Sequence, residues 1–231
     1  MALDCAHCPV RSSAACAVLS EEERDALARA GNKRTLERGE TLFAAGDEAA
    51  GFATLTSGAL KVTSFDAAGQ ERILALIHPA GFVGEMFAPF ARHDVVALAP
   101  SELCVFARRD IDAAIDAHPA LAKALLRRSQ EDLHASRDLL ALGNAAVPVK
   151  ARVASLIGGL AKAASHSPCH AADQFDLPLT RGEMAGLLGT TIESVSRSLT
   201  ALERDGAIMR KGARGLGICD PARLGEAGAA G

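Results

Sequence analysis

The spacing of apolar residues divides the chain into β-like and helix-like stretches. Within residues 33–107, short runs with β-compatible alternation, such as LKVTSF at 60–65 and RILALI at 72–77, are separated by recurring glycines. Apolar residues take helical spacing over 111–143 and again, in shorter pieces, from 149 onwards. This order predicts an α+β protein with an N-terminal antiparallel β jelly roll, a long helix and a helical C-terminal domain.

A short helix is predicted ahead of the β region, at residues 17–31. Ser20 is a suitable N-cap, and Glu23, three residues later, completes a capping box. Gly31 is suited to the C-terminal cap, where glycine adopts a left-handed conformation easily.

A seven-residue repeat of leucines runs along the long helix. Its members are Leu126, Leu133 and Leu140. If these are the a positions of a coiled coil, the d positions are Ser129, Ser136 and Gly143. A seam with one apolar half and one small-residue half predicts a homodimer whose association is weak. The alternative is a single helix that packs on its own β domain.

The segment 180–218 has the features of a winged helix-turn-helix. Thr180 and Glu183 form a second capping box, and Gly189 ends the first short helix. The next helix starts at Thr191. Its apolar positions are Ile192, Val195, Leu199 and Leu202. The sequence AIMRKGARGLGI then predicts a β-hairpin wing with a basic tip.

The polar face of the second short helix is suited to reading DNA bases in the major groove. Its residues are Glu193, Ser196 and Arg197. Arginine donates two hydrogen bonds to guanine, glutamate accepts one from cytosine, and serine pairs with either kind of edge. Phosphate contacts are expected from the wing residues Arg210, Lys211 and Arg214. The alternative is a winged helix that binds another protein.

Composition and charge narrow the function classes. The chain has 231 residues, 49% of them hydrophobic, and a net charge of -3, so a basic DNA-binding surface can only be local. No apolar run reaches the ~18 residues that span a bilayer, and the N-terminus lacks a secretion signal, so we expect a cytoplasmic protein without a membrane partner. No nucleophile elbow, phosphate-binding loop or zinc-protease motif is present, so we do not expect an enzyme.

Pro148 breaks the helical pattern and marks a domain boundary. The predicted segments are a cysteine-bearing, cluster-binding segment at 1–20, a β-roll sensory domain at 21–110, a dimerisation helix at 111–147 and a DNA-binding domain at 148–231. The first segment is too short and too rich in small residues to fold by itself.

Three of the six cysteines fall in that first segment, namely Cys5, Cys8 and Cys16. In a reducing compartment, clustered cysteines are more often metal ligands or redox groups than disulfides. One alternative is therefore a zinc or thiol-redox site, in which the zinc ligands are Cys5, His7, Cys8 and Cys16. Of the other thiols, Cys169 lies in a predicted solvated loop, and Cys219 is expected to be a small core residue of the wing.

A β-roll, a long helix and a winged helix-turn-helix together resemble the CRP/FNR family of bacterial regulators, and within it the oxygen-responsive FNR type. The motifs are ETLFAAGDEA at 40–49, the helix start at 192–197 and the cysteines. The family's Glu-x-x-Ser-Arg motif is matched by Glu193, Ser196 and Arg197. The resemblance implies double-stranded DNA with an inverted repeat of TTGAT type, phosphate contacts from Arg181 and Thr191, and RNA polymerase as a partner.

The resemblance also implies one 4Fe–4S cluster per subunit. Its ligands would be Cys5, Cys8, Cys16 and Cys104. Iron–sulfur clusters are commonly held by four cysteine thiolates, and the C-x2-C-x7-C spacing is similar to that of some of these sensors. Cys104 is expected at the end of the last strand, so the cluster would order an N-terminal segment that lacks order by itself. The resemblance implies a dimer that binds DNA with an intact cluster and is inactivated by oxygen.

A cyclic-nucleotide receptor of the same fold is the other alternative. The family's nucleotide pocket uses a Gly-Glu pair, matched by Gly84 and Glu85, and then an arginine followed by a small hydroxyl residue. The corresponding residues here are Val95 and Val96, which cannot hold a buried phosphate, and Arg92 lies three residues early. We therefore expect no cyclic nucleotide.

Overall fold

The structure is a computed structural model that describes residues 3–48, 51–85, 88–165 and 170–229. The chain divides into two compact units. The first comprises Met1–Phe65 and Leu74–Ser136, and the second comprises Asp66–Ile73 and Arg137–Gly231. The prediction for Cys169 falls on 166–169, which lie outside the described residues. No helix in the described ranges is long and apolar enough to cross a membrane.

Two sheets of antiparallel strands form the β-roll. Its strands are β1 (Gly31–Leu36), β2 (Thr41–Phe43), β3 (Gly51–Ser57), β4 (Leu60–Phe65), β5 (Glu71–Ile77), β6 (Phe82–Gly84), β7 (Asp94–Ala97) and β8 (Ser101–Ala107). One sheet has the order β1-β8-β3-β6 and the other β2-β7-β4-β5. Apolar side chains of both sheets meet in one core that includes Leu55, Leu60 and Leu103. The predicted β-roll is confirmed.

Strand β8 has two faces with different surroundings. Leu103 and Val105 belong to the core between the sheets, so Cys104 and Phe106 point to the opposite face. Phe106 packs there in an apolar cluster with Phe52. The outer face of this sheet is therefore covered by other side chains and can form the wall of a site.

Helix α1 (Glu21–Ala30) begins later than predicted, directly after its cap residue. The capping box itself is confirmed, because Ser20 Oγ accepts from the Glu23 N–H at 3.3 Å and Glu23 Oε2 accepts from the Ser20 N–H at 2.7 Å. Gly31 is not the left-handed cap that was predicted, since its φ is -101° and it begins β1. A Cβ at Gly31 would lie 2.4 Å from the ring of Phe106, so close packing favours glycine there.

The helical region after the β-roll is two helices, not the single helix predicted from Ile111. Helix α2 spans Arg108–Ala117 and α3 spans Pro119–Ala141. The break falls at His118, whose φ and ψ are -130° and 83°. A residue before proline is pushed out of the α region, whereas proline fits the first turn of α3, where its missing N–H is not needed.

The second unit contains the winged helix-turn-helix. Its elements are α4 (Val149–Ala163), β9 (Gln174–Asp176), α5 (Arg181–Leu188), α6 (Ile192–Arg204), β10 (Ile208–Lys211), β11 (Gly215–Ile218) and α7 (Pro221–Ala229). The capping box of Thr180 and the left-handed Gly189, with φ of 58°, are confirmed. Strands β10 and β11 form the predicted hairpin. Strand β9, which pairs with β11, and helix α7 are additional to the sequence prediction.

Two residues of this unit are exposed where the sequence predicts burial. Ile192 is 51% exposed, although the other three apolar positions of α6 are buried. Its Cδ1 lies beside Gly182, which has no side chain to cover it. Cys219 is exposed because β11 ends at Ile218, so the alternation of the strand does not extend to it.

Candidate functional site

The four predicted cluster ligands line one pocket in the first unit. They are Cys5, Cys8, Cys16 and Cys104. Cys104 lies in the middle of β8 and not at its end, as the sequence suggested, and is paired with Lys33 of β1 and Thr54 of β3. The sheet therefore fixes Cys104, while the other three thiols come from the N-terminal segment.

The N-terminal segment is folded against the rest of its unit. It contains one turn of 3-10 helix at Ala15–Val18. Val10 and Ala14 are buried in a cluster with Ala80, and Cys8 and Cys16 pack against that cluster. Small residues allow this close approach to the β-roll, and the few apolar side chains among them provide the buried area.

 One partner of the segment is a turn with unusual backbone geometry. Ala80 has a φ of 71°, in the left-handed region that costs about 1–2 kcal/mol for a residue with a Cβ. Backbone hydrogen bonds hold the turn, because the Ala80 N–H donates to Leu55 O and the Leu55 N–H donates to Gly81 O, each at 2.9 Å. The β-roll thus fixes the surface on which Val10 and Ala14 pack.

The same segment also contacts the long helix. Leu19 is buried in a cluster with Leu121 and Leu125 of α3, and Cys16 packs against this cluster. Leu121 and Leu125 line the cysteine pocket as well. One wall of the pocket therefore consists of side chains of α3.

The pocket disfavours thiolate anions unless a positively charged partner is present. Burial, followed by the neighbouring Cys8 and Cys5, raises the pKa of the Cys104 thiol to about 12. Burial also raises the pKa of Cys5 and of Cys16. These thiols are therefore protonated near neutral pH in the metal-free chain, and metal binding must release protons.

The described geometry does not support a site for a single metal ion. Among the described residues, no three His, Cys, Asp or Glu side chains are grouped so that they could hold one metal ion. The side chain of His7, the fourth ligand of the zinc alternative, is 86% exposed, and its Nδ1 lies 2.9 Å from Asp4 Oδ2. Four thiols around one largely apolar pocket are the donor set that iron–sulfur clusters use.

A second candidate site lies at the start of α6 in the second unit. The Arg181 guanidinium donates to Ser196 Oγ at 3.5 Å, and the Arg197 guanidinium donates to Ser194 Oγ at 3.2 Å. Thr191 Oγ1 accepts from the Ser194 N–H at 3.2 Å and so caps the helix. The structure therefore brings the predicted DNA-contacting residues of α5 and α6 together.

Glu193 and Ile192 add an acceptor and an apolar group to this surface. The backbone N–H of Glu193 itself, followed by the Thr191 hydroxyl, lowers the pKa of the Glu193 carboxyl, so this side chain is an anionic acceptor. Ile192 is exposed at the first residue of α6. An apolar side chain there can contact a thymine methyl group. The apolar periodicity of α6 hid this residue, because it predicts burial at that position.

Two of the predicted phosphate contacts are engaged inside the unit. Arg210 Nε donates to Glu203 Oε2 at 2.9 Å, and Lys211 Nζ donates to Gln174 Oε1 at 2.9 Å. Arg210 therefore braces the wing against α6. Arg214, in the turn between β10 and β11, is exposed.

The leucines of the predicted dimer seam are exposed along α3. Leu126, Leu133 and Leu140 are 72%, 48% and 64% exposed. The hydroxyls of Ser129 and Ser136 donate to carbonyls one turn earlier in the same helix, at 3.0 and 2.8 Å. The seam thus offers an apolar stripe beside small residues whose polar groups are already hydrogen-bonded.

Comparison with known proteins places the chain in a family. Two family models match, a Crp-like helix-turn-helix domain over residues 151–227 and a cyclic nucleotide-binding domain over 33–118. The transcriptional activator protein FnrL of Cereibacter sphaeroides is 33% identical over 224 residues, which are 95% of this chain and 90% of FnrL. The chain belongs to the Crp/Fnr family of transcription regulators. This confirms the expectation of a DNA-binding regulator that is not an enzyme.

Two further proteins are similar to this Crp/Fnr regulator. The anaerobic regulatory protein of Haemophilus influenzae is 26% identical, over 91% of this chain and 82% of that protein. The solved structure of FixK2 from Bradyrhizobium japonicum matches with a TM-score of 0.76 and 21% identity, over 87% of this chain and 98% of that chain. The likeness to FixK2 supports the fold.

The pocket that corresponds to a nucleotide site is acidic in this Crp/Fnr regulator. Gly84, Glu85 and Val95 line it, as the sequence comparison suggested. Three further carboxylates, those of Asp47, Glu48 and Asp132, line it as well. No arginine or lysine is among its described lining residues, and Arg92 donates only its backbone N–H to Glu85 Oε1, at 3.4 Å. This lining repels a phosphate.

Proposed function

We propose that this Crp/Fnr regulator is an oxygen-sensing transcription activator that carries one 4Fe–4S cluster per subunit. It binds DNA as a homodimer in the cytoplasm while the cluster is intact. The observation that carries this proposal is the pocket in which Cys104 of β8 meets the three thiols of the N-terminal segment. The names of two relatives agree with it, since FnrL is a transcriptional activator and the Haemophilus influenzae protein is an anaerobic regulator.

The four cysteines have different mechanical roles in this proposal. The deprotonated Sγ atoms of these four cysteines would hold the cluster. When bound, the cluster supplies iron and sulfide that oxygen can oxidise. Cys104 is held by two neighbouring strands, whereas Cys5, Cys8 and Cys16 belong to a segment that is attached to the β-roll mainly by small clusters. Loss of the ligand bonds therefore loosens the segment before the sheet.

Helix α3 carries the state of the pocket to the dimer seam. Leu121 and Leu125 line the pocket. The next residue, Leu126, belongs to the exposed leucine stripe of the seam. A seam whose second half consists of small residues keeps the monomer and the dimer within a few kcal/mol of each other. A small change in how Leu19 packs on α3 is then sufficient to shift the balance.

A dimer gives the two recognition helices the spacing of successive major grooves. We propose that Arg197 reads guanine and Glu193 reads cytosine in each half of a TTGAT-type inverted repeat, with Ile192 next to a thymine methyl. Arg181, Thr191 and Arg214 are the proposed phosphate contacts, whereas Arg210 and Lys211 are already hydrogen-bonded to Glu203 and Gln174. RNA polymerase is the proposed partner at the promoter.

Anaerobic purification tests the cluster directly. We expect about four irons and matching sulfide per chain, with a visible absorbance that air bleaches. Cys104→Ser should lose most of this iron. Cys219→Ser, a change of an exposed thiol, is the matched control and should keep it. One zinc per chain without visible absorbance, or full iron content in Cys104→Ser, would overturn the ligand set.

A further inference from the structure

Arg24 is a basic residue in the wall of the cysteine pocket. It lies in the first turn of α1 and lines the pocket together with Cys5 and Cys16. Its Nη2 donates to Leu19 O at 2.7 Å, which anchors one end of the guanidinium. Burial and the neighbouring Cys8 raise the pKa of both thiols, and the Asp25 carboxylate adds to this rise at Cys5, whereas the positive charge of Arg24 opposes the rise at both.

One donor of this guanidinium has no acceptor. Arg24 Nε is buried, and no described residue accepts a hydrogen bond from it. An unsatisfied buried donor is costly, more so when it is charged. The other end of the side chain is held by Leu19, so an acceptor that arrives in the pocket meets a donor already in place.

The neighbouring basic side chains form ion pairs with carboxylates, whereas Arg24 forms none among the described residues. Arg11 is paired with Glu21, and Lys33 is paired with Glu102 at 2.8 Å. Within the described ranges of the chain, Arg24 forms no ion pair with a carboxylate. Its positive charge is therefore available to an anion in the pocket.

We propose that Arg24 is the counter-charge and hydrogen-bond donor of the anionic sulfur set, and that it sets how easily the bound cluster is oxidised. This inference rests on the proposed function. A cluster held by four thiolates has a negative overall charge, and its reduction potential depends on net charge and on hydrogen bonds to sulfur. A nearby cation stabilises the more negative, reduced form, so Arg24 raises the reduction potential and slows oxidation by air.

The test compares Arg24→Gln with two other variants. Arg24→Lys keeps the positive charge, and Arg29→Gln removes an exposed arginine from the last turn of the same helix. The loaded proteins are titrated anaerobically for the reduction potential, and the bleaching rate in air is recorded. We expect Arg24→Gln to show a lower potential and faster bleaching than the wild type. Arg24→Lys should recover most of the wild-type potential, and Arg29→Gln should retain it.

A second measurement uses the metal-free protein, so that it does not depend on the cluster. Alkylation of Cys5 and Cys16 by iodoacetamide is followed by mass spectrometry, because only the thiolate reacts. Loss of the nearby charge should slow alkylation in Arg24→Gln by roughly threefold. Arg29→Gln should react at the wild-type rate.

The two measurements separate the possible failures. If the wild type binds no iron but Arg24→Gln still slows alkylation, the oxygen-sensing proposal fails, and the counter-charge role of Arg24 stands. If the wild type holds its cluster, while Arg24→Gln changes neither the potential nor the alkylation rate, the role of Arg24 is refuted and the sensor proposal survives. Without iron and without a change in alkylation, both fail.

Discussion

At the scale of single residues, the chemistry of Cys104 follows from its position on the sheet. Its neighbours Leu103 and Val105 are anchored in the core, so Cys104 must point out of the core and into the pocket. Burial and the other thiols raise the pKa of Cys104 to about 12, above the ordinary value of 9.0. Near neutral pH, this thiol therefore becomes an anion only when a bound cation offsets the electrostatic cost of the negative charge.

This raised pKa predicts a pH dependence for the metal-free chain. Between the unfolded value of 9.0 and the folded value of about 12, the unfolded chain has lost a proton that the folded chain retains. Stability therefore falls as pH rises through this window, by up to about 1.4 kcal/mol per pH unit. Urea titrations at several pH values above 9.0 give the free energy of unfolding as a function of pH, and the slope of this function should be smaller for Cys104→Ser than for the wild type. Cys219→Ser should keep the wild-type slope; equal slopes for all three proteins would contradict the prediction.

Ala80 gives a second prediction at the residue scale. Ala80→Gly relieves about 1 kcal/mol of backbone strain and loses a similar amount of apolar burial, so the free energy of unfolding should change little. Ala80→Val places a β-branched residue in the left-handed region and overfills its cluster with Val10 and Ala14, which should cost about 2–4 kcal/mol. Denaturant unfolding measures both changes. A well-tolerated valine would show that the turn at Ala80 is not constrained.

At the scale of elements, α3 combines two surfaces. Its first turns are buried through Leu121, Ala124 and Leu125, as the alternative of a helix on its own β domain requires. Its exposed leucine stripe corresponds to the predicted seam. The first turns of α3 therefore match the helix that packs on its own β domain, and the rest of α3 has the exposed stripe expected of a dimer helix.

The small residues of the stripe predict that the dimer can be strengthened. Ser136→Leu adds an apolar group to the seam, and we expect the dimer dissociation constant to fall by roughly tenfold, or about 1.4 kcal/mol. Leu133→Glu should give a monomer. Asp138→Ala, on the opposite heptad position, is the control. Anaerobic sedimentation equilibrium of the cluster-loaded chain measures all three, and an unchanged constant for Ser136→Leu would place the interface elsewhere.

The sequence predicts those elements whose signals are local. The capping boxes at Ser20 and Thr180 and the left-handed Gly189 depend on residues a few positions apart, so the pattern was sufficient. The break at His118 also has a local cause, since Pro119 follows it, but the helical pattern on both sides led to the prediction of one helix. The burial of Val10 and Ala14 depends on Ala80, which is far away in the sequence, and periodicity contains no information about such contacts.

At the scale of the whole molecule, the regulator combines a unit that contains the cysteine pocket and a unit that contains the DNA-binding helix-turn-helix in one chain. The β-roll, the wing and most helices could be predicted from the sequence, and the polar residues at the start of α6 could be identified from their chemistry. The role of Arg210 could not, because its partner Glu203 lies across a turn and is reached only through the folded hairpin. Arg24 was hidden in the same way, since only the fold brings α1 to the cysteines.

Base reading and phosphate binding can be separated by two variants. Arg197→Ala should remove the preference for a TTGAT-type repeat over a scrambled duplex, a loss of about 1–3 kcal/mol per half-site. Arg214→Ala should weaken binding to both duplexes alike and reduce the salt dependence by about one phosphate contact per subunit. Fluorescence anisotropy at several salt concentrations, under anaerobic conditions, measures both. Retained preference in Arg197→Ala would assign base reading to another residue.

The two-sided strand β8 has a consequence for how such regulators can diversify. One face of β8 packs in the core through Leu103 and Val105, and Cys104 and Phe106 line the pocket on the other face. Evolution can therefore change the chemistry of the pocket at Cys104 without repacking the core between the sheets. A different ligand preference then requires few substitutions on this strand, and the rest of the scaffold can be inherited unchanged.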